Sequence, residues 1–491
     1  MRRPLLEGAS ASLIMFLNKH LHKAVWLRWM SWFCLAVLTF SACNGEGTEG
    51  EKTENIEKNG VYFELNICTN SQQTPNVRGP QSGETGDDTE GGYERERNVT
   101  NATLLLYTSE KGVNGDGNTR IEHAFYAPQI NKVTENGTTY YRTELLHTDK
   151  VIAPRTYHLI VVCNLGDCTR FEGKTLNDVR NEIETTLYTQ TDADDPTTAT
   201  HFVMASAEDA SINLTSETGG ANNPVRFNVS VERLAARIDF SPGNTNNNGT
   251  LTTENITLTD GSTESVTGYT YTVKDASSYA DTDDRFILTS VTPFNLADSG
   301  TRLLKSVSNS FDGSVSLNYL GQEATNAITG NASNYVMDPW TIQKNSTEVS
   351  GLTYRNPYAE AISGNLAEEK VKAVDATNTY KGNSYYILTY ANENTLTPNS
   401  LQTLFATGVM VKGYYGTYDA TNKTTKYSVK TYYYFIRHAD PNDSPSNSIP
   451  MKYGIVRNNI YRLYINRITS LGIIMLNVRQ WSTLTMDEIE M

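Results

Sequence analysis

The stretch GVYFELNIC, residues 60–68, decides the fold. Val61, Phe63, Leu65 and Ile67 share one face of an extended chain; Tyr62, Glu64 and Asn66 share the other. Alternation with period two marks a strand with one buried face. Near the other end stands IIMLNVR, residues 473–479, with the same length and alternation. Ile474, Leu476 and Val478 point one way, Met475, Asn477 and Arg479 the other. Three or four apolar side chains from either strand contribute on the order of 5–10 kcal/mol on burial, before ordering costs. The last strand can turn back on IYRLYINRI through TSLG, or it can join the sheet of another chain. At this level both arrangements are open.

Ahead of the first strand lies an address. WMSWFCLAVLTFSA (29–42) is one apolar run preceded by Lys19, Lys23 and Arg28. It is short for a membrane span and is flanked like a signal peptide. FSAC places small residues before Cys43 and resembles a bacterial lipoprotein cleavage box, with Phe40 where Leu is usual. Cys43 is therefore the expected acylation site, and residues 1–42 the expected signal peptide. Met15 is an alternative start. Residues 43–59, beginning CNGEGTEGEKTEN, read as a flexible acidic tether. More than one acyl chain gives stable anchoring.

Behind the first strand comes a polar, Gly-rich loop, residues 69–97, with almost no core-forming residues. It carries Arg78, Arg95 and Arg97, all candidate sites for a trypsin-like protease. Strands resume with NATLLLYTS, HAFYAPQI and TYHLIVVCN (156–164), the last apolar enough for a central strand. In GKTLNDVRNEIETTL, Thr175 with Asp178 predicts a capping box, and Leu176, Val179, Ile183 and Leu187 predict a helical stripe. RFNVSVERLAARIDF (226–240) reads as one long strand. The second half repeats the style in FILTSVTPF, SYYILTYAN, ATGVMVKGYYGTY and KTYYYFIRH. Many short strands, few helical patterns and polar turns predict an all-β protein of β-sandwiches with few short helices.

The chemistry is mostly that of exclusion. The formal net charge is -14 over 491 residues, so the chain should repel nucleic acid and anionic membrane surfaces. Five cysteines are no disulfide framework, although Cys163 and Cys168 stand near enough in sequence to pair. LIVVCN leading to GKT and a helix has the layout of a phosphate-binding loop, but Cys168 stands where its first Gly belongs. The histidines His123, His147, His158, His201 and His438 lack ligand spacing, and NGDGNTRIE (114–122) has Thr119 where a calcium loop needs Gly. No metal, no cofactor and no enzymatic activity are expected.

The pieces together resemble the fimbrillins, the subunits of Bacteroidales type V pili. The likeness is closest to the major subunit of short (minor) fimbriae. YGIVRNNIYRLYINRITSLG (453–472) carries it most strongly, through VRNN-Y leading into a strand. TYHLIVVCN with GKTLNDV, HFVMAS, VSVERLAARIDF and YANENT support it. The resemblance implies two tandem transthyretin-like β-sandwich domains, here 60–228 and 229–472, followed by a donor segment, 473–491. It implies export as an outer-membrane lipoprotein precursor, and cleavage in the loop after the first strand. The displaced strand would present Val61, Phe63, Leu65 and Ile67. The donor from another copy would present Ile474, Leu476 and Val478, with Trp481 as a further anchor. Partners would be other copies, accessory fimbrial subunits, the protease and surface ligands of host or bacteria, in a cell-surface fimbrium that supports adhesion. Other readings are a tip or anchor subunit, and a surface glycan-binding lipoprotein using the tyrosines of GYYGTY and KTYYYF.

Overall fold

The computed structural model describes residues 60–68, 92–110, 116–135, 138–193, 195–215, 219–244, 247–308, 318–319, 335–355, 379–380, 383–400, 402–438, 453–465, 468–469 and 475–480. Cys43 and the rest of the leader and tether, Arg78, Ile474 and Trp481 lie outside them. The described residues belong to one compact unit.

Strand β1 (Val61–Cys68) is followed by a one-turn helix α1 (Glu94–Arg97), then β2 (Ala102–Tyr107), β3 (His123–Ala127), β4 (Ile130–Glu135), β5 (Thr138–Thr143), β6 (Leu146–Thr148) and β7 (Arg155–Cys163). After helix α2 (Leu176–Arg180) come β8 (Met204–Ser206), β9 (Ala210–Leu214) and β10 (Val225–Arg233). These ten strands make one sheet in the order β3-β2-β7-β8-β10-β1-β5-β4, with β9 also on β7 and β6 on β1. The sheet folds back on itself. Phe63 on β1 meets Phe125 on the distant edge strand β3, ring centroids 5.5 Å apart. Leu65, Ile67, Leu104, Leu159, Val161 and Phe202 lie in the shared core. Strand β7 is buried continuously from Tyr157 to Cys163, as its near-unbroken apolar run predicts for a central strand.

The chain continues with β11 (Ala236–Ser241), β12 (Thr250–Thr257), β13 (Thr263–Lys274), β14 (Asp281–Phe294), β15 (Tyr386–Ala391), β16 (Gly408–Asp419), β17 (Thr424–Phe435), β18 (Asn459–Tyr464), β19 (Ile468–Thr469) and β20 (Met475–Gln480). One sheet runs β15-β11-β18-β20; a second runs β12-β13-β14-β16-β17, with β19 on β13. Ile238, Phe240, Tyr461 and Leu463 of the first share a core with Phe286, Leu288, Val409 and Val411 of the second. The fold is all-β, with few short helices among the described residues. The tyrosines of KTYYYF are strand residues: Tyr432 and Tyr434 pack on this core and Tyr433 is exposed.

Two local expectations change, and one open question closes. RFNVSVERLAARIDF is two strands, not one. Leu234 N–H still donates to the Val203 carbonyl at the edge of β8 in the first sheet, whereas the Ala235 carbonyl already accepts from Asn458 beside the second. The chain changes sheets there, a few residues beyond 228. The apolar run continues through the break, so the pattern hides it. The helix after Thr175 is also shorter than its stripe. The capping box forms as predicted, but the helix ends at Asn181. Ile183 instead bridges to Arg302 in a short strand pair, as suits a β-branched residue. Finally, Cys163 and Cys168 are both buried free thiols and do not pair.

Candidate functional site: the groove of the first strand

Strand β1 is held on both edges. It runs parallel to β10, from Phe63 opposite Val225 to Cys68 opposite Ser230. On its other side, β6 pairs antiparallel with Val61, Tyr62 and Phe63, and β5 with Asn66 and Ile67. The two short partners leave a gap at Leu65. There the Thr143 hydroxyl accepts the Leu65 N–H at 3.0 Å, so no buried donor is orphaned. Near the start of the strand, Tyr62 N–H donates to the Gly219 carbonyl at 2.8 Å. Gly219 has φ +96°, and a Cβ there would come within 2.7 Å of Val61 Cγ1. Only glycine suits that approach.

The inner face is apolar. Val61, Phe63, Leu65 and Ile67 are all buried, and Phe63 packs between Phe125 and Phe227. The outer face is polar and specific. Glu64 pairs with Arg226 at 2.6 Å. Asn66, only 7% exposed, accepts from Arg142 Nε at 2.7 Å and donates to Asn228 Oδ1 at 2.9 Å. Arg142 also grips Glu135 through both terminal nitrogens, at 2.6 and 2.7 Å. That hydrogen-bonded partner raises the guanidinium above its ordinary pKa.

The three candidate cleavage arginines differ in setting. Arg95 and Arg97 sit on α1, whose backbone closes with Asn98 N–H on the Glu94 carbonyl at 3.0 Å. Arg95 stacks over Tyr93 at 4.2 Å, and burial lowers the Arg97 pKa. Between them Glu96 is fully buried and ties α1 to β11. Its carboxylate accepts from Arg237 Nη1 at 3.0 and 3.1 Å and from the Tyr390 hydroxyl. Arg237 pairs in turn with Asp239 at 2.9 Å, and Asp239 with Arg462 at 2.7 Å. Arg233 donates to the Glu96 carbonyl at 2.6 Å, and burial brings its pKa down to about 10.

The VRNN-Y stretch belongs to this junction. Arg457 pairs with Glu393 of YANENT at 2.8 Å and donates to the carbonyls of Arg302 and Leu303. Burial would raise the Glu393 pKa, but Arg457 outweighs it and the net shift is downward. Asn458 at φ +55° accepts from Arg233, and Asn459 donates to the Val456 and Arg457 carbonyls. The Tyr461 hydroxyl accepts from Val456 N–H and meets His438 Nδ1 at 2.8 Å. The motif staples the fold. Among the described residues no group of His, Cys, Asp and Glu is placed to hold a metal.

Leu476 and Val478 lie on β20, opposite Leu463 and Tyr461 of β18. In the single chain the last strand thus turns back onto its own sheet. Sequence reasoning passed over Asn66, which carries the outer-face contacts, and the buried charges Glu96, Arg237 and Asp239. A signal for the latter existed: Arg237 and Asp239 are opposite charges two apart in the otherwise apolar LAARIDF.

Residues 76–260 match the family of the major fimbrial subunit protein (FimA), and residues 424–486 match the C-terminal region of fimbrillin, major fimbrial subunit protein type IV. Among solved structures, the chain is similar to the tip fimbrial protein Mfa3 of Porphyromonas gingivalis at 10% identity and TM-score 0.36, over 86% of this chain and 100% of that one. It is similar to a fimbrial assembly protein of Parabacteroides distasonis at 12% identity and TM-score 0.31, over 85% and 98%. No curated protein matches the sequence significantly.

Proposed function

We propose that this chain, which belongs to the fimbrial-subunit families matched above, is a shaft-forming pilin of a type V fimbria assembled by protease-triggered strand exchange. Those families are structural and non-enzymatic, and they polymerise with themselves and accessory subunits in a cell-surface fimbrium. In our reading Cys43 is acylated and holds the precursor at the outer membrane, and a trypsin-like protease cuts after Arg78. The peptide bonds at Arg95 and Arg97 lie in α1, clamped by Glu96, which favours Arg78 over both. The cut separates β1 from the body, and residues 473–491 of another copy take its place, a form of strand addition.

One observation carries this reading. Strand β1 is bonded on both edges and buries four apolar side chains, yet it is joined to the rest only through residues 69–91, which contain Arg78. While tethered, it competes at an effective concentration of roughly millimolar. After cleavage its departure becomes a dilution, and a donor can enter.

The test uses the chain from Cys43 onward with that cysteine replaced. Limited trypsin treatment is followed by N-terminal sequencing and size analysis, beside a version ending before Ile473. A new N-terminus at Gly79 with ladders or filaments, absent from the shortened version, is expected. Clean cutting without oligomers in either version overturns the shaft-subunit reading.

A further inference from the structure

The groove reads more than apolar alternation. On β1, Asn66 stands between Leu65 and Ile67; on β20, Asn477 stands between Leu476 and Val478. Across the antiparallel ladder, Asn66 faces Arg142 and Ile67 faces Tyr141 on β5. Across the other, Asn477 faces Arg462 and Val478 faces Tyr461 on β18. The first and last strands therefore meet the same Tyr-Arg pair in the same register, in two different sheets.

Register is the weak point of any apolar strand entering a groove. A slide by two residues keeps every apolar side chain inside, so alternation alone cannot forbid it. A polar side chain with fixed partners can. With the last strand slid by two, either Met475 or Arg479 would stand beside Arg142. Methionine offers Nε no good acceptor, and arginine sets two guanidinium groups together.

We propose that, when the C-terminal segment of a second copy replaces β1, its Asn477 takes the position of Asn66 between Arg142 and Asn228 and fixes the register of exchange. The incoming strand runs in the direction of β1, parallel to β10. Ile474 then stands at the place of Phe63, Leu476 at Leu65 and Val478 at Ile67. Met475 stands at Glu64, so Arg226 loses its carboxylate partner. This inference rests on the strand-exchange reading and adds to it the residue that sets alignment.

The experiment mixes two full-length variants. The acceptor carries Asn228→Cys and has been cut with trypsin. The uncut donor carries Asn477→Cys, Met475→Cys or Arg479→Cys. Residues paired across a ladder are close enough for a disulfide; both variants also carry Cys34→Ser, Cys43→Ser and Cys68→Ser, and Cys163 and Cys168 are buried. Crosslinking through position 477, at least about tenfold above 475 and 479, is the expected result. In a parallel measurement, Asn477→Leu weakens donor capture about tenfold on the normal acceptor and far less on an Arg142→Leu acceptor. Complexes that crosslink equally or better through 475 or 479, or an equal loss on both acceptors, overturn the register assignment while leaving exchange intact. No complex with any donor overturns exchange itself, and the register with it.

Discussion

The groove of β1 and the junction around Arg237 are both buried, and they are built from opposite materials. The groove offers apolar walls, with Arg142 and Asn228 to meet the one buried amide of the strand it holds, Asn66. The junction links Glu96, Arg237, Asp239 and Arg462, with Tyr390 and Arg233 both bonded to Glu96. Apolar contacts are non-directional, so another strand of the same alternation can replace the first. Buried charges demand individual partners, and losing one strands the others. That difference in chemistry is what the proposed exchange calls for: a replaceable strand beside a fixed junction.

The comparison can be broken at its strongest point. Arg237→Leu leaves Glu96 and Asp239 buried without their shared cation. The expected loss is about 3–5 kcal/mol, read as a lower urea midpoint of the intact chain. A loss under about 1 kcal/mol would mean that the junction is as replaceable as the groove.

Leu65→Ala should cost about 2–5 kcal/mol in the uncut chain, because the site cannot collapse around a strand held on both edges. Amide exchange localises the effect: β1 amides should lose protection while those of β11 keep theirs. Equal loss in both strands would erase the distinction between the two regions.

His438 sharpens the contrast from the side of the junction. Burial lowers its pKa from 6.5 to about 4. The native state holds it neutral, so its contribution is complete above pH 6.5 and is lost as pH falls towards 4. The difference corresponds to about 3 kcal/mol. Unfolding measured across that range should show the slope, and His438→Leu should flatten it.

The smallest effect belongs to the outer face of the groove. Arg226 is exposed, and its pairing with Glu64 should contribute under about 1 kcal/mol, so Arg226→Ala should barely move the urea midpoint. A larger shift would show that the outer face helps to retain the first strand.

The strands of the first sheet were legible because period-two alternation survives in VYFELNI and a near-unbroken apolar run survives in TYHLIVVC. Thr175 and Asp178 announced their cap for a similar reason: the interaction is local. The break at Leu234–Ala235 was not legible, since both sides of it are apolar and the change of sheet is a tertiary event. Glu96 was read as part of a polar loop. Its burial depends on Arg237 and Tyr390, 141 and 294 residues away, and no local pattern predicts such a partner. Asn66 was hidden differently. An amide on the polar face of a strand looks like ordinary surface until Arg142 and Asn228 cover it.

The parallel pairing of β1 with β10 also has a mechanical side. From Phe63 to Cys68 the rungs lie side by side along the strand. A force applied along that axis loads them together, in shear. A force applied across it opens them one at a time, like a zipper. Any strand seated there resists tension along its own direction far better than peeling from one end.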